Sequence, residues 1–286
     1  MRIAHVAPVA TTIPPPKSGS VESMTSLLTE GLVARGQDVT LFATADSTTR
    51  AKLSAIYAHG YWHDENMWPW ELYEMLNLAA AVERAREFDI IHYEAAYYPM
   101  SLAFTRLSPT PIVQTLHHSP SAAEVALWAR YPEAPFVAIS NEQASLLKGA
   151  NVVGTVLHGI DTDNFTFCET PDDYLLFLGR FTEGKGVLQA IEIARRVGMK
   201  LVLAEAMACG TPVAALDRGA VREVVDDSVT GMIFSDLDQM ASGLQQVLGL
   251  NRRRVRQRAV ERFGVNRMVD EYLAVYRQVV AGRPHA

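Results

Sequence analysis

Cysteine is scarce in this chain: Cys168 and Cys209 stand alone, in neither a C-x-x-C nor a zinc-ligand spacing. That excludes a disulfide-framed scaffold and a thiolate metal centre. With no signal-peptide pattern after Met1, a reducing, cytoplasmic setting is expected, with both thiols as inert small apolar groups. Positive charge is also in short supply, 26 Lys and Arg against 32 Asp and Glu for a net charge of -6. Such a field repels phosphate backbones, so nucleic acid is not an expected partner, and a phosphate ligand needs a local site. No apolar run approaches the roughly 20 residues that cross a bilayer, although peripheral membrane contact stays open. The eight histidines show no metal-ligand spacing along the chain, and no metal is expected.

What is present is alternation. In the first half, short β-rich runs alternate with amphipathic stretches, the pattern of a doubly wound parallel sheet in an α/β fold. Strands are expected at Arg2 to Ala7, Asp38 to Ala43, Ile90 to Tyr93, Ile112 to Leu116, Phe136 to Ile139 and Val152 to Leu157. Helices are expected over Val21 to Leu32, Leu72 to Glu87, Ala122 to Arg130 and Gln143 to Leu147. At His158-Gly159-Ile160-Asp161 the chain turns into a polar connector, and the strand-turn-helix pattern restarts at Tyr174 to Leu178. The expected division is therefore 1–160 and 161–266, with a terminal helix over 267–284 whose Met268, Tyr272, Val275, Tyr276 and Val279 share one face.

Two stretches carry candidate chemistry. In Gly179-Arg180-Phe181-Thr182-Glu183-Gly184-Lys185-Gly186 two cations lie five positions apart across a glycine-bearing turn that opens a helix. Arg180, Lys185 and free helix N–H groups there converge on one anion, or else the turn is ordinary and both cations are solvated. In Glu205-Ala-Met-Ala-Cys-Gly-Thr-Pro-Val213 a glutamate leads a helix that stops at Gly210 before Thr211-Pro212 and a strand. Thr115-Leu116-His117-His118 closes a strand, where ligands of open α/β sheets gather; a strand-end histidine is otherwise a capped structural one. The loop Pro14-Pro15-Pro16-Lys17-Ser18-Gly19-Ser20 joins the first strand to the first helix, either as a rigid surface turn or as a cradle for a phosphate.

In this order along one chain, these segments resemble the family 4 glycosyltransferases. The resemblance implies the GT-B architecture: two Rossmann-like doubly wound domains, with retention of anomeric configuration from a nucleotide-sugar donor. It implies that Glu205 accepts the ribose hydroxyls, that Arg180 and Lys185 clamp the diphosphate, that Gly19 and Ser20 lie under the donor phosphate, and that His117 sits near the donor sugar. His117, Arg180 and Lys185 are thus the candidate catalytic residues, and Gly19, Ser20, Arg180, Lys185 and Glu205 the candidate donor site. No cofactor is implied beyond the donor substrate itself.

Two departures bear on activity. The family carries a second glutamate with seven residues between it and the first, and that position here is Val197. The block that normally lies between Gly198-Met199-Lys200-Leu201 and Glu205 is absent, so the second domain is expected to be truncated. Leu201-Val202-Leu203-Ala204 reads both as a strand and as the first turn of the Glu205 helix. The sequence therefore supports a retaining transferase of impaired activity acting on an unidentified sugar, lipid or small-molecule acceptor. A non-catalytic shortened scaffold is the alternative, and an epimerase or phosphorylase of the same architecture ranks behind both. Self-association through a bared sheet edge stays open. The aromatic segment Tyr57 to Trp70 is expected to be a packed loop, with acceptor contact as the lesser reading. The arginine run Arg252 to Arg258 is expected to be a solvated helix face with Glu261 and Asp270 as partners.

Overall fold

The computed structural model describes residues 1–17, 19–96, 98–177, 186–203 and 207–282. The chain divides into two compact units, Met1–Ile160 with Val265–Ala286, and Asp161–Gly264.

The first unit is built on seven strands: β1 (Arg2–Val6), β2 (Asp38–Phe42), β3 (Lys52–Ser54), β4 (Ile90–Ala95), β5 (Ile112–Leu116), β6 (Pro135–Ala138) and β7 (Asn151–Thr155). They pair in the order β3-β2-β1-β4-β5-β6-β7, every pair parallel. Parallel strands need crossovers, and α1 (Ser20–Ala34), α2 (Trp70–Glu83), α3 (Ala122–Trp128) and α4 (Asn141–Leu146) lie in those from β1 to β2, β3 to β4, β5 to β6 and β6 to β7. Residues alternate between the two faces of the sheet. Ala4, Val6, Phe42, Ile91, Tyr93, Ile112, Leu116 and Phe136 pack with Leu78, Ala81, Val125 and Trp128 of α2 and α3. Ile3, Val39, Ile90, Val113 and Val137 face the other way, onto Met24, Leu28 and Leu32 of α1.

That second face is completed from the end of the chain. The terminal helix of the unit (Val265–Ala281) buries Met268, Val269, Tyr272, Leu273, Val275 and Tyr276 in the same cluster. It crosses α1 at Gly31, where an added Cβ would lie 2.3 Å from Val269 Cγ2. Only hydrogen fits at that crossing. The strand β3 was not expected from sequence; it is three residues long, lies at the sheet edge and is mostly exposed, so it carries no alternating apolar signal.

In the second unit two parallel pairs are described, β8 (Tyr174–Phe177) with β9 (Lys200–Leu203), and β10 (Val213–Leu216) with β11 (Gly231–Phe234). Residues 200–203 are therefore strand, which resolves their double reading. The helices of this unit are α5 (Val187–Val197), α6 (Val221–Val224), α7 (Leu237–Leu248) and α8 (Arg252–Phe263), so the terminal helix is α9. Ile193, Phe234, Met240, Leu244 and Val247 form its apolar cluster, with Val197 packed against it. Val197 closes α5 ahead of Gly198, which takes a left-handed φ of 69°, and so belongs to a helix end rather than a loop.

Candidate functional site

In the sheet order the chain reverses direction of winding between β1 and β4, and ligands of open α/β sheets bind beyond the strand C-termini at such a switch point. A group of buried polar residues of the first unit's core gathers there. His5 on β1 is in register with His92 on β4, and their rings stack at 4.9 Å with 9° between planes. Glu94, two residues beyond His92 and so on the same face, is in register with Thr115 on β5. All four are buried.

Each is held by hydrogen bonds. Glu94 meets His5 Nε2 at 2.7 Å through Oε1 and His117 Nε2 at 2.9 Å through Oε2. His5 Nδ1 lies 2.7 Å from the Thr29 hydroxyl of α1. His92 reaches Thr115 Oγ1 at 2.8 Å and the Tyr276 hydroxyl at 2.7 Å, and Thr115 continues to the Tyr272 hydroxyl at 2.9 Å. Burial alone would push the Glu94 carboxyl up, but the facing His92 ring and the hydrogen bonds from His117 and His5 hold it well below the usual range, so it is ionised. Burial lowers His92 to about 3 and His158 to about 4, which keeps both rings neutral near pH 7. His158 stands beside His117, ring centroids 5.2 Å apart.

The ligand atoms of His5, His92 and Glu94 all lie within 4.8 Å of one another, a grouping the linear spacing of histidines did not show. Two ligands of one zinc ion, with bonds of about 2.0 to 2.1 Å at a tetrahedral angle, sit ~3.4 Å apart. At 2.7 Å His5 and Glu94 are instead at hydrogen-bond distance, and this geometry is a proton-sharing network rather than a metal centre.

His117 is therefore brought into the cluster, with a side chain only 3% exposed. Its backbone is braced by Gln143, whose amide donates to Leu116 O at 3.1 Å and His118 O at 2.8 Å and accepts from Ile139 N–H at 2.9 Å. Ser140 is the N-cap of α4, accepting from Gln143 N–H at 3.0 Å. Gly19 precedes α1 at a φ of 150°, and a Cβ there would lie 2.7 Å from Glu22 Oε2 and 3.0 Å from Pro15 Cβ. Ser20 is the exposed first residue of α1, a helix with no side-chain cap at its N-terminus. Glu22 in that first turn is buried, which raises its carboxyl, while a backbone hydrogen bond and, to a lesser degree, the nearby His117 act the other way. Gly19, Ser20, Glu22 and His117 thus belong to one neighbourhood of the first unit.

Arg180, Lys185 and Glu205 lie outside the described residues. Beyond Glu205 the chain makes one 3-10 turn, Met207–Cys209, ending at Gly210 with a φ of 80°. The arginine run is a solvated face only in part: Arg253 and Arg254 are exposed, and Arg258 meets the expected Glu261. Arg252 donates to Cys168 O and Thr211 Oγ1, Arg256 to Ala208 O and Thr162 O, and Arg258 to Asp226 and Glu261, so the run ties its own unit together. Asp270 pairs with Arg35 instead. The aromatic segment divides: Tyr57 packs at a tilt against Tyr73, and Trp70 lies between Tyr61 and Tyr98, but Trp62 and Trp68 are 54% and 71% exposed and are not packed. Among the described residues no helix is long and apolar enough to cross a membrane.

The family described as Glycosyltransferase Family 4 matches residues 21–164, half of the chain, and that described as Glycosyl transferases group 1 matches residues 193–249. A D-inositol 3-phosphate glycosyltransferase of Xylanimonas cellulosilytica is 40% identical over 91 residues, 29% of this chain and 22% of that protein. The aligned part thus spans about a fifth of that relative's length. Sucrose-phosphate synthase from Thermosynechococcus elongatus superposes with a TM-score of 0.75 at 15% identity, over 99% of this chain and 100% of that one. The catalytic domain of starch synthase IV from Arabidopsis thaliana, bound to ADP and acarbose, does so with a TM-score of 0.69 at 12% identity, over 98% and 99%. At those identities the likeness is one of fold.

Proposed function

The chain belongs to glycosyltransferase family 4, and on that premise we propose that it is a retaining transferase that moves a sugar from a nucleotide-sugar donor to a sugar, lipid or small-molecule acceptor. The observation that carries this reading is the convergence of His117, Gly19 and the uncapped start of α1 on the switch point of the first unit's sheet. On this reading the first unit takes the acceptor and the second takes the donor nucleotide. Arg180 and Lys185 neutralise the diphosphate as it leaves, and the Glu205 carboxylate accepts the ribose hydroxyls. The donor is a substrate, and no metal or other cofactor enters the scheme.

A specific observation limits the rate. Val197, where the family carries its second glutamate, packs into the apolar cluster of the second unit and offers no polar group to a sugar. A displacement of about 1 Å at the reacting centre costs on the order of a hundredfold in rate, and loss of a positioning carboxylate with its loop costs more. Weak nucleotide-diphosphate binding and slow transfer are the consequence. The same observation favours, as a second reading, a scaffold that binds without catalysing.

Calorimetric titration with UDP, GDP and ADP, followed by assay of donor hydrolysis with the matching nucleotide sugars, separates the two. Binding of one nucleotide that Arg180→Ala weakens at least tenfold, with slow hydrolysis, is the expected result. Binding without any hydrolysis supports the scaffold, and absence of binding to all three overturns both. Rapid turnover would overturn the role given to Val197.

A further inference from the structure

Glu94 spends both carboxylate oxygens on histidines, at 2.7 Å to His5 Nε2 and 2.9 Å to His117 Nε2. An ionised carboxylate only accepts hydrogen bonds, so both Nε2 atoms carry a proton, and in a neutral ring the lone pair is then on Nδ1. At His5 that lone pair meets the Thr29 hydroxyl, which donates to it at 2.7 Å. At His117 the Nδ1 atom is buried and meets no hydrogen-bond partner among the described residues. A buried acceptor left open beside the start of α1, on a backbone that Gln143 clamps on both sides, is placed to receive a ligand donor.

We propose that Glu94 is a positioning residue, holding His117 as its Nε2–H tautomer so that Nδ1 accepts a hydrogen bond from a hydroxyl of the bound sugar, and that Thr29 and His5 fix Glu94 in that role. The sugar rests on the transferase reading; the tautomer does not. The four groups form a relay, Thr29 to His5 to Glu94 to His117, in which the ionised Glu94 sets the tautomer of both rings and the Thr29 hydroxyl can pair with His5 in either one.

The relay makes an unusual prediction about substitutions. In Glu94→Gln the side chain keeps one acceptor oxygen and gains an N–H donor, so one histidine must turn over its tautomer. His5 can do so, because the Thr29 hydroxyl accepts as readily as it donates. His117 then keeps Nε2–H. In Thr29→Val alone the ionised Glu94 still fixes both rings. With both substitutions neither Nδ1 has a partner, so nothing selects which ring faces the amide oxygen, and His117 loses its preference for Nε2–H and populates both tautomers.

The test uses the full chain labelled with 15N-histidine, with the His117 ring assigned by its loss in His117→Asn. Long-range 1H–15N spectra distinguish the tautomers. Nε2–H is expected for wild type and both single variants, and a mixture of the two tautomers for the double variant. Where nucleotide-sugar turnover is measured, kcat/KM should fall by about threefold to tenfold in each single variant and by about a further twofold or more in the double variant beyond their product, while thermal unfolding of the double variant stays near that of the singles. Nδ1–H on His117 in the wild type, or Nε2–H alone in the double variant, overturns the relay. Spectra as expected with activities that simply multiply overturn the sugar contact. The spectra are read without substrate, so a wild type that turns over no donor defeats the transferase reading while the tautomer assignment is still decided.

Discussion

Replacing Gly31 by alanine tests how the first unit is closed. In an isolated helix the change stabilises by up to ~1 kcal/mol, since alanine is the better helix former. Here the new Cβ would stand 2.3 Å from Val269 Cγ2 and 3.5 Å from Val269 Cβ. Carbon atoms settle at about 3.5 to 4.0 Å, so the contact is short by more than an ångström. Val269 is fully buried in a helix, where valine has one strongly preferred rotamer, and it cannot swing aside. Either α1 and α9 separate or Val269 leaves its rotamer, and overpacking of that kind costs about 1 to 3 kcal/mol. The clash outweighs the propensity gain, for a net loss of roughly 1 to 2 kcal/mol. All four tryptophans, Trp62, Trp68, Trp70 and Trp128, lie in this unit, so tryptophan fluorescence during urea unfolding reports on it directly. Val269→Ala alone opens a cavity and is also destabilising, yet together the two alanines restore room at the crossing, so the double variant should be more stable than the sum of singles by more than about 1 kcal/mol. Strict additivity, or a Gly31→Ala protein as stable as wild type, would refute this account.

Two further outcomes concern ionisation and the second unit. Burial raises Glu74 from 4.5 to about 8, against hydrogen bonds from Val9 N–H and Tyr61. The fold therefore holds a proton that the unfolded chain releases, so this contribution is full below pH 4.5 and is lost as pH rises through about 8, by ~5 kcal/mol at most. Urea midpoints of wild type should drop from about pH 5 to about pH 8 relative to Glu74→Gln, and parallel pH profiles would count against it. In the second unit Asp226 accepts from Arg258 Nε at 2.9 Å and Nη2 at 2.7 Å, and from Arg262 Nη1 at 2.5 Å. Asp226→Ala should speed hydrogen exchange across α8 by roughly tenfold to a hundredfold, the equivalent of about 1.5 to 3 kcal/mol, and unchanged protection would show that the network does not stabilise this helix.

Much of the first unit was legible because parallel strands buried on both faces read as compact apolar runs between amphipathic helices. The face Met268, Tyr272, Val275, Tyr276 and Val279 likewise announced a buried terminal helix. His117 was legible from its place at a strand end. Its partners were not. His5, His92 and Glu94 sit inside strands whose neighbours are apolar, and that anomaly was visible in Ile3-Ala4-His5-Val6 and Ile90-Ile91-His92-Tyr93-Glu94. What linear order could not give is the register that sets His5 against His92 and Glu94 against Thr115, because pairing of parallel strands is decided by crossovers far along the chain. Gln143 was hidden for the same reason, since it acts on a loop from another βα unit. In the second unit, Arg252 and Arg256 look solvated by charge counting because their acceptors are backbone carbonyls, which leave no mark in sequence.

The terminal helix has a second role that grows out of the first. Tyr272 and Tyr276 are the core-facing residues that anchor α9, and each turns a hydroxyl onto the polar cluster, one to Thr115 and one to His92. An apolar residue at either place would fill the core equally well, and a buried ionised carboxylate with neutral histidines around it is no gain for stability: replacing such groups by hydrophobic ones of similar volume is often neutral or favourable. Their presence therefore calls for a reason other than cohesion. Position supplies one. The cluster lies at the strand C-termini on both sides of the switch point, and α9 covers it from behind, so the tyrosines exclude water from the face away from α1 while supplying the hydrogen bonds that water would have made. In that drier setting a hydrogen bond to Glu94 or His117 is stronger and more directional than at a wet surface. The same residues of α9 therefore close the core over the sheet and complete the hydrogen bonds of the histidine cluster.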